Sequence, residues 1–142
     1  MSLIRTSTEL ELPRTIKALV YGQAGMGKST LALSAPKPLL LDFDGGVKRI
    51  NNAHLQGVGI VQIGSWVEAT QVLNEDLSAF DTIVVDTIGK MMDYITDHVT
   101  KGSAPQLKHW NPINQEFSTF TRKLSSLNKN IIFVGHRDTR KE

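Results

Sequence analysis

At 142 residues the chain has room for one domain with a substantial core and not for two. With 40% apolar and 21% charged residues it is not a disordered chain, no apolar run reaches the roughly 18 to 20 residues of a bilayer span, and without cysteine it has no disulfides or thiolate metal sites. The net charge of +2 is unevenly spread: residues 1–98 carry eight basic against eleven acidic side chains, −3, and residues 99–142 eight against three, +5, which fits either surface scatter or an anionic partner for the C-terminal part.

In chain order, residues 1–14 read as an N-terminal extension. They have no long apolar core before a small-residue cleavage site, hence no secretory signal, and with the missing cysteine this fits a cytoplasmic protein. "TIKALVYG" (15–22) predicts a strand that runs into a glycine loop, and "KSTLALSA" (28–35) a helix stopped by Pro36 and Pro38. "PLLLDFD" (38–44) is a continuous apolar run, the pattern of a strand covered on both faces, and "GVGIVQIG" (57–64) is a weaker strand. Ser65 can cap "WVEATQVLNEDL", whose Trp66, Ala69, Val72 and Leu73 share a face. "FDTIVVDT" (80–87) is a second fully buried strand. Residues 88–99 are helical with a core stripe of Ile88, Met91, Met92, Ile95 and Val99. "KGSAPQLKHWNP" (101–112) reads as a polar loop, "INQEFSTFTRKLSSLN" (113–128) as an amphipathic helix, and "NIIFVGH" (130–136) as the last buried strand. Strands alternating with helices, without tight hairpins, predict an α/β fold with a parallel sheet of about five strands and helices on both faces.

The chemistry concentrates in "GQAGMGKST". Gly22, Gly27, Lys28 and Ser29 match G-x-x-x-x-G-K-[ST], after a strand and before a helix as the P-loop requires. The loop Gly22, Gln23, Ala24, Gly25, Met26, Gly27 can turn its N–H groups towards phosphate oxygens, with Lys28, Ser29 and Thr30 opening the helix whose N-terminus faces the same anion. Lys28 would neutralise the β and γ phosphates and Ser29 would ligate Mg²⁺. "TIVVDT" offers Asp86 as the second metal-side carboxylate; the same residue could cap the next helix.

Which P-loop class follows from the other motifs. "DTIG" (86–89) with Asp138 would suit a GTPase-like switch, but Gly135-His136 stand where an Asn-Lys pair is expected. The chain instead resembles the RecA-type ATPase core, on "GQAGMGKST", "LLLDFDGG", "TIVVDTIGKM" and "IIFVGH" in that order. More narrowly, "DFDGGVKRI", "VVDTIGKMMDYI" and "INQEFSTFTRKLSSLNKNIIFVGH" are similar to phage-encoded RecA-like proteins with an AAA domain, some of which act in single-strand annealing and recombination. The resemblance implies a P-loop NTPase with ATP and Mg²⁺ as cofactors and with Asp44 activating the attacking water, one methylene shorter than the usual glutamate. It also implies that His136, in place of the usual glutamine, senses the γ-phosphate. Asp44 before Gly45-Gly46 also reads as a turn residue, and His136 as a strand-end histidine satisfied by backbone. Asp42 has no assigned role, and Lys48-Arg49 reads as a solvated face.

Lys101, Lys108 and Trp110 combine cations with a stacking ring, and Arg137 and Arg140 add charge, a set suited to single-stranded DNA; Trp110 reads equally as an anchor of its loop to the core. A nucleotide-binding assembly module with negligible turnover is a further alternative. The resemblance also predicts the strand order 57–64, 38–44, 80–86, 130–136, 15–21, with "TIKALVY" at an edge. That edge would be covered by the "STELEL" segment or a second subunit, so the chain is expected to be a truncated core, slow as an ATPase alone and homo-oligomeric, with no membrane partner.

Overall fold

The computed structural model describes residues 2–8, 10, 15–23 and 27–137. Five strands, β1 (Lys17–Gly22), β2 (Pro38–Asp42), β3 (Gly59–Gln62), β4 (Thr82–Asp86) and β5 (Asn130–His136), form one parallel sheet in the order β1-β5-β4-β2-β3. This is the predicted order, with the strand that feeds the P-loop at an edge. All five residues of β2 and of β4 are buried, as uninterrupted apolar runs with helices on both sides should be.

Helices α2 (Trp66–Val72), α3 (Ile88–Thr100) and α4 (Trp110–Ser125) cover one face, packing on Leu39, Leu41, Ile83, Val85 and Ile131. The indole of Trp66 stacks at a tilt on Phe120 and donates its Nε1–H to Glu116, which joins α2 to α4. The opposite face carries Leu40, Val84, Ile132 and Val134. It is covered by α1 (Lys28–Ala32) through Ala32 and Leu33, and by the segment after β2 through Val47.

Several elements are shorter than the sequence expectation, β3 at Gly59–Gln62 and α2 at Trp66–Val72 among them, and two boundaries differ for a local reason. Helix α1 ends at Ala32, three residues early, because Pro36 disfavours helical geometry at Ala35 and can donate no amide hydrogen. Helix α4 starts at Trp110, three residues inside the expected polar loop, after a 3-10 turn at Leu107–His109. The His109 Nδ1 accepts the Gln106 amide and fixes that turn. Pro112 falls in the first turn of α4, where a missing N–H costs nothing.

Candidate functional site

The parallel register brings the carboxyl ends of the strands into one row: Gly22 opposite His136, Asp86 opposite both Val134 and Asp42. Ligands of open α/β sheets bind along this edge. Gly27 caps α1 with φ 80°, a left-handed conformation that a residue with Cβ adopts only with strain. The turn points Lys28 back towards the sheet. Its side chain is buried, and Nζ donates to the Gly22 and Gln23 carbonyls at 2.8 and 2.9 Å.

The same Nζ lies 2.8 Å from His136 Nδ1. An ammonium can only donate, so this nitrogen accepts, and the neutral ring carries its proton on Nε2. That nitrogen faces Asp44 Oδ2 at 3.6 Å. The other Asp44 oxygen accepts the Gly46 amide at 2.7 Å. Asp44 therefore holds the turn with one oxygen and faces the His136 ring with the other.

Ser29 Oγ donates to Asp86 Oδ2 at 2.5 Å, joining α1 to the end of β4. Asp86 does not cap α3: Thr87 Oγ1 does, accepting the Lys90 amide at 3.3 Å. The Asp86–Thr87 peptide bond is cis. Burial pushes the Asp86 carboxyl above its ordinary value, partly offset by the Ser29 hydrogen bond, while Asp44 adds to the rise and His136 and Lys28 oppose it. Asp42, 2% exposed, is raised first by burial, with the Val47 amide opposing and Asp44 and Asp86 adding. Its Oδ1 has no hydrogen-bond partner.

Gly27, Lys28, Ser29, Thr30, Asp44, Asp86 and His136 line a common cavity of about 620 Å³. The profile of the AAA domain matches residues 14–142. The chain belongs to the AAA-domain family. It is also 26% identical over 133 residues to the SPbeta prophage-derived uncharacterized protein YorG of Bacillus subtilis (strain 168), a match covering 82% of this chain and 39% of that protein. The chain thus spans about two fifths of that relative's length.

Membership in the AAA-domain family points to nucleotide binding of the ATPase kind, and the donor set suits the accompanying cation. Ser29 and Asp86 offer hard oxygens side by side, the ligands magnesium takes. One ligand atom from each of Asp44, Asp86 and His136 lies within 4.8 Å of the others, although the His136 Nδ1 faces Lys28.

The remaining expected residues of this AAA domain divide. Ala24, Gly25, Met26 and Arg140 lie outside the described residues, as does Asp138. Arg137 is exposed, and its amide donates to the Gly22 carbonyl at 2.7 Å, fastening the end of β5 to the start of the P-loop. Lys101 ends α3 in a left-handed conformation, Lys108 sits in the 3-10 turn, and Trp110 is 52% exposed at the start of α4 rather than in a loop or anchored to the core. None of these three lines the cavity that holds Lys28 and Asp86.

Sequence reasoning missed the opposite wall of the cavity, made by Gly46, Arg49, Ile50, Asn51 and His54. The signal was present in Gly45-Gly46. Gly45 takes φ 74°, which turns the chain after Asp44 back across the site before two 3-10 turns, Gly46–Arg49 and Asn52–His54.

Proposed function

We propose that this chain binds Mg-ATP and hydrolyses it as a phage or prophage RecA-like ATPase that acts on single-stranded DNA in recombination or annealing, assembled as a homo-oligomer. The observation that carries the ATPase reading is the meeting of Lys28, Ser29, Asp86, Asp44 and His136 at the carboxyl ends of β1, β2, β4 and β5. The prophage origin of the relative and the net charge of +5 over residues 99–142 support the DNA part.

The residues divide the work as follows. The P-loop amides and Lys28 hold the β and γ phosphates, and Lys28 exchanges the Gly22 and Gln23 carbonyls and His136 for phosphate oxygens. Ser29 and Asp86 would hold a magnesium ion, which would supply neutralisation of charge on those oxygens. Asp44 orients the water that attacks the γ phosphorus in line and takes its proton. A bond forms from the water oxygen to phosphorus, the bond from phosphorus to the β–γ bridging oxygen breaks, and the electron pair leaves with ADP. His136, released by Lys28, keeps Nε2 towards Asp44 and so couples the arrival of phosphate to the placement of the base.

ATP turnover with and without single-stranded DNA, compared with GTP, tests the proposal. ATP hydrolysis that rises with DNA and binding that weakens steeply with salt are the expected results. Preference for GTP, or no turnover under any condition, rejects the ATPase reading; turnover indifferent to DNA rejects the DNA partner.

A further inference from the structure

A second cavity, of about 580 Å³, lies between the ends of β2 and β3 and the helix α3, and it shares only Asp44 with the cavity that holds Lys28. Its size suits a small ligand. Asp42 lines this cavity and not the other, and is 2% exposed. Its Oδ1 has no hydrogen-bond partner among the described residues, and the charged groups that act on it, Asp44 and Asp86, are both carboxyls. A buried acceptor that lacks a donor and faces like charges is completed by a cation.

Helix α3 adds two more carboxyls at the exposed mouth. Asp93 and Asp97 are four residues apart, so they share a helix face and repel each other. Lys90 meets Asp93 at 3.8 Å, but the two side chains are 57% and 71% exposed, and such a pair is worth little. Among the described residues Asp97 has no ion-pair partner. With Lys48 and Lys90 as its cations, the cavity is lined by four carboxyls and two ammonium groups, an excess of two negative charges. Between floor and mouth the wall is apolar and fixed. Tyr94 donates its hydroxyl to the Ile63 carbonyl at 3.1 Å, and its ring centroid lies 5.7 Å from that of Phe43.

These carboxyls do not converge on one point. Among the described residues, the group whose metal-type ligand atoms lie within 4.8 Å of one another is Asp44, Asp86 and His136, at the other cavity. A single metal ion therefore does not serve Asp42 and the α3 pair together, whereas positive charges set apart along an alkyl chain do. We propose that this cavity binds an aliphatic diamine or polyamine, with one ammonium on Asp42 beside Asp44 and another at Asp93 and Asp97. Its methylenes run along Phe43, Ile63 and Tyr94. A lone basic side chain of a protein partner carries one charge and answers only one end. The site needs neither nucleotide nor P-loop, so it stands apart from the ATPase reading. Because Asp44 belongs to both cavities, an occupant here stands beside the residue assigned to the attacking water.

Calorimetry on the full chain, without nucleotide or DNA and at about 0.15 M salt, tests this. Putrescine, spermidine and butylamine are titrated into wild type, Asp42→Asn, Asp97→Asn and Glu75→Gln, the last changing an exposed carboxylate outside the cavity. We expect one putrescine per chain, bound about fivefold tighter than butylamine. Asp42→Asn should weaken all three ligands about tenfold, since it removes the buried charge. Asp97→Asn should weaken putrescine and spermidine about threefold and leave butylamine unchanged. Asp97 is exposed, so this second variant does not put the fold at stake. Glu75→Gln should match wild type. No saturable binding to wild type overturns the proposal, as does butylamine held as tightly as putrescine, or wild-type affinity in Asp42→Asn. An equal loss in Glu75→Gln would reveal unspecific attraction to an acidic surface and rejects the site as well. Displacement of putrescine by equimolar Mg²⁺ would make this a metal site and rejects the amine. None of these outcomes bears on the ATPase reading, which turnover alone decides.

Discussion

Asp42 shows how much local cost the site carries. It is a carboxyl with one unpartnered oxygen, and its other oxygen accepts only a long bond of 3.4 Å from the Val47 amide. A buried polar atom left without a partner costs about 1 to 3 kcal/mol. Asp42→Asn should therefore stabilise the metal-free protein at pH 7 by about 1 kcal/mol in urea unfolding. The pH dependence follows from the direction of the shifts. Asp42 and Asp86 are both raised above the ordinary value of 3.8, so above that value the folded state binds more protons than the unfolded one. Their stabilisation is complete below 3.8 and lost as pH rises through the raised values. Wild type should close the gap to Asp42→Asn as pH falls through that window; a gap that widens on acidification contradicts the assigned shifts. A second prediction concerns Lys28. Its partners are two carbonyls and one imidazole, none of them a carboxylate, so Lys28→Ala should leave the unfolding midpoint nearly unchanged while weakening Mg-ATP binding at least 100-fold by calorimetry. Lys28, Ser29 and Asp86 were legible in the sequence because their chemistry fixes their spacing. That Arg49 lines the cavity was not legible, because its place there depends on where the Gly45 turn sends the chain.

At the level of elements, legibility tracks burial. Strands β2 and β4 stand out in the sequence because both faces are covered, whereas β3 is four residues long with alternating exposure and was read too long. The true start of α4 was hidden because the cue, a histidine accepting the amide three residues before it, is a local hydrogen bond rather than a periodicity. Strand β3 also depends on a missing side chain. A Cβ on Gly59 would lie 2.5 Å from two atoms of the Phe80 ring and 3.1 Å from Leu39 Cδ1. Gly59→Ala should cost about 1 to 2 kcal/mol, and adding Phe80→Leu should recover part of it, since the ring is the obstruction. Denaturant unfolding of the single and double variants measures this; additive losses would show that the ring is not responsible.

For the whole molecule, the decisive feature is that among the described residues β1 has a strand neighbour on one side only, β5. Leu19 and Tyr21 on its uncovered face are 61% and 62% exposed. Open edges with apolar side chains invite pairing with another chain. The purified chain should associate with rising concentration in sedimentation velocity, and Leu19→Lys with Tyr21→Lys should return it to monomer; association untouched by both changes would place the contact elsewhere. The same edge has a kinetic meaning. Strand β1 is held in the sheet by a single ladder, so it can detach while β2, β4 and β5 stay paired, and it takes the start of the P-loop with it. Amide hydrogens of residues 17–22 should therefore exchange with deuterium before those of β4. A nucleotide gripped by Lys28 would pin the strand from its far end and slow that exchange, so that occupancy of the site is written into the breathing of the sheet.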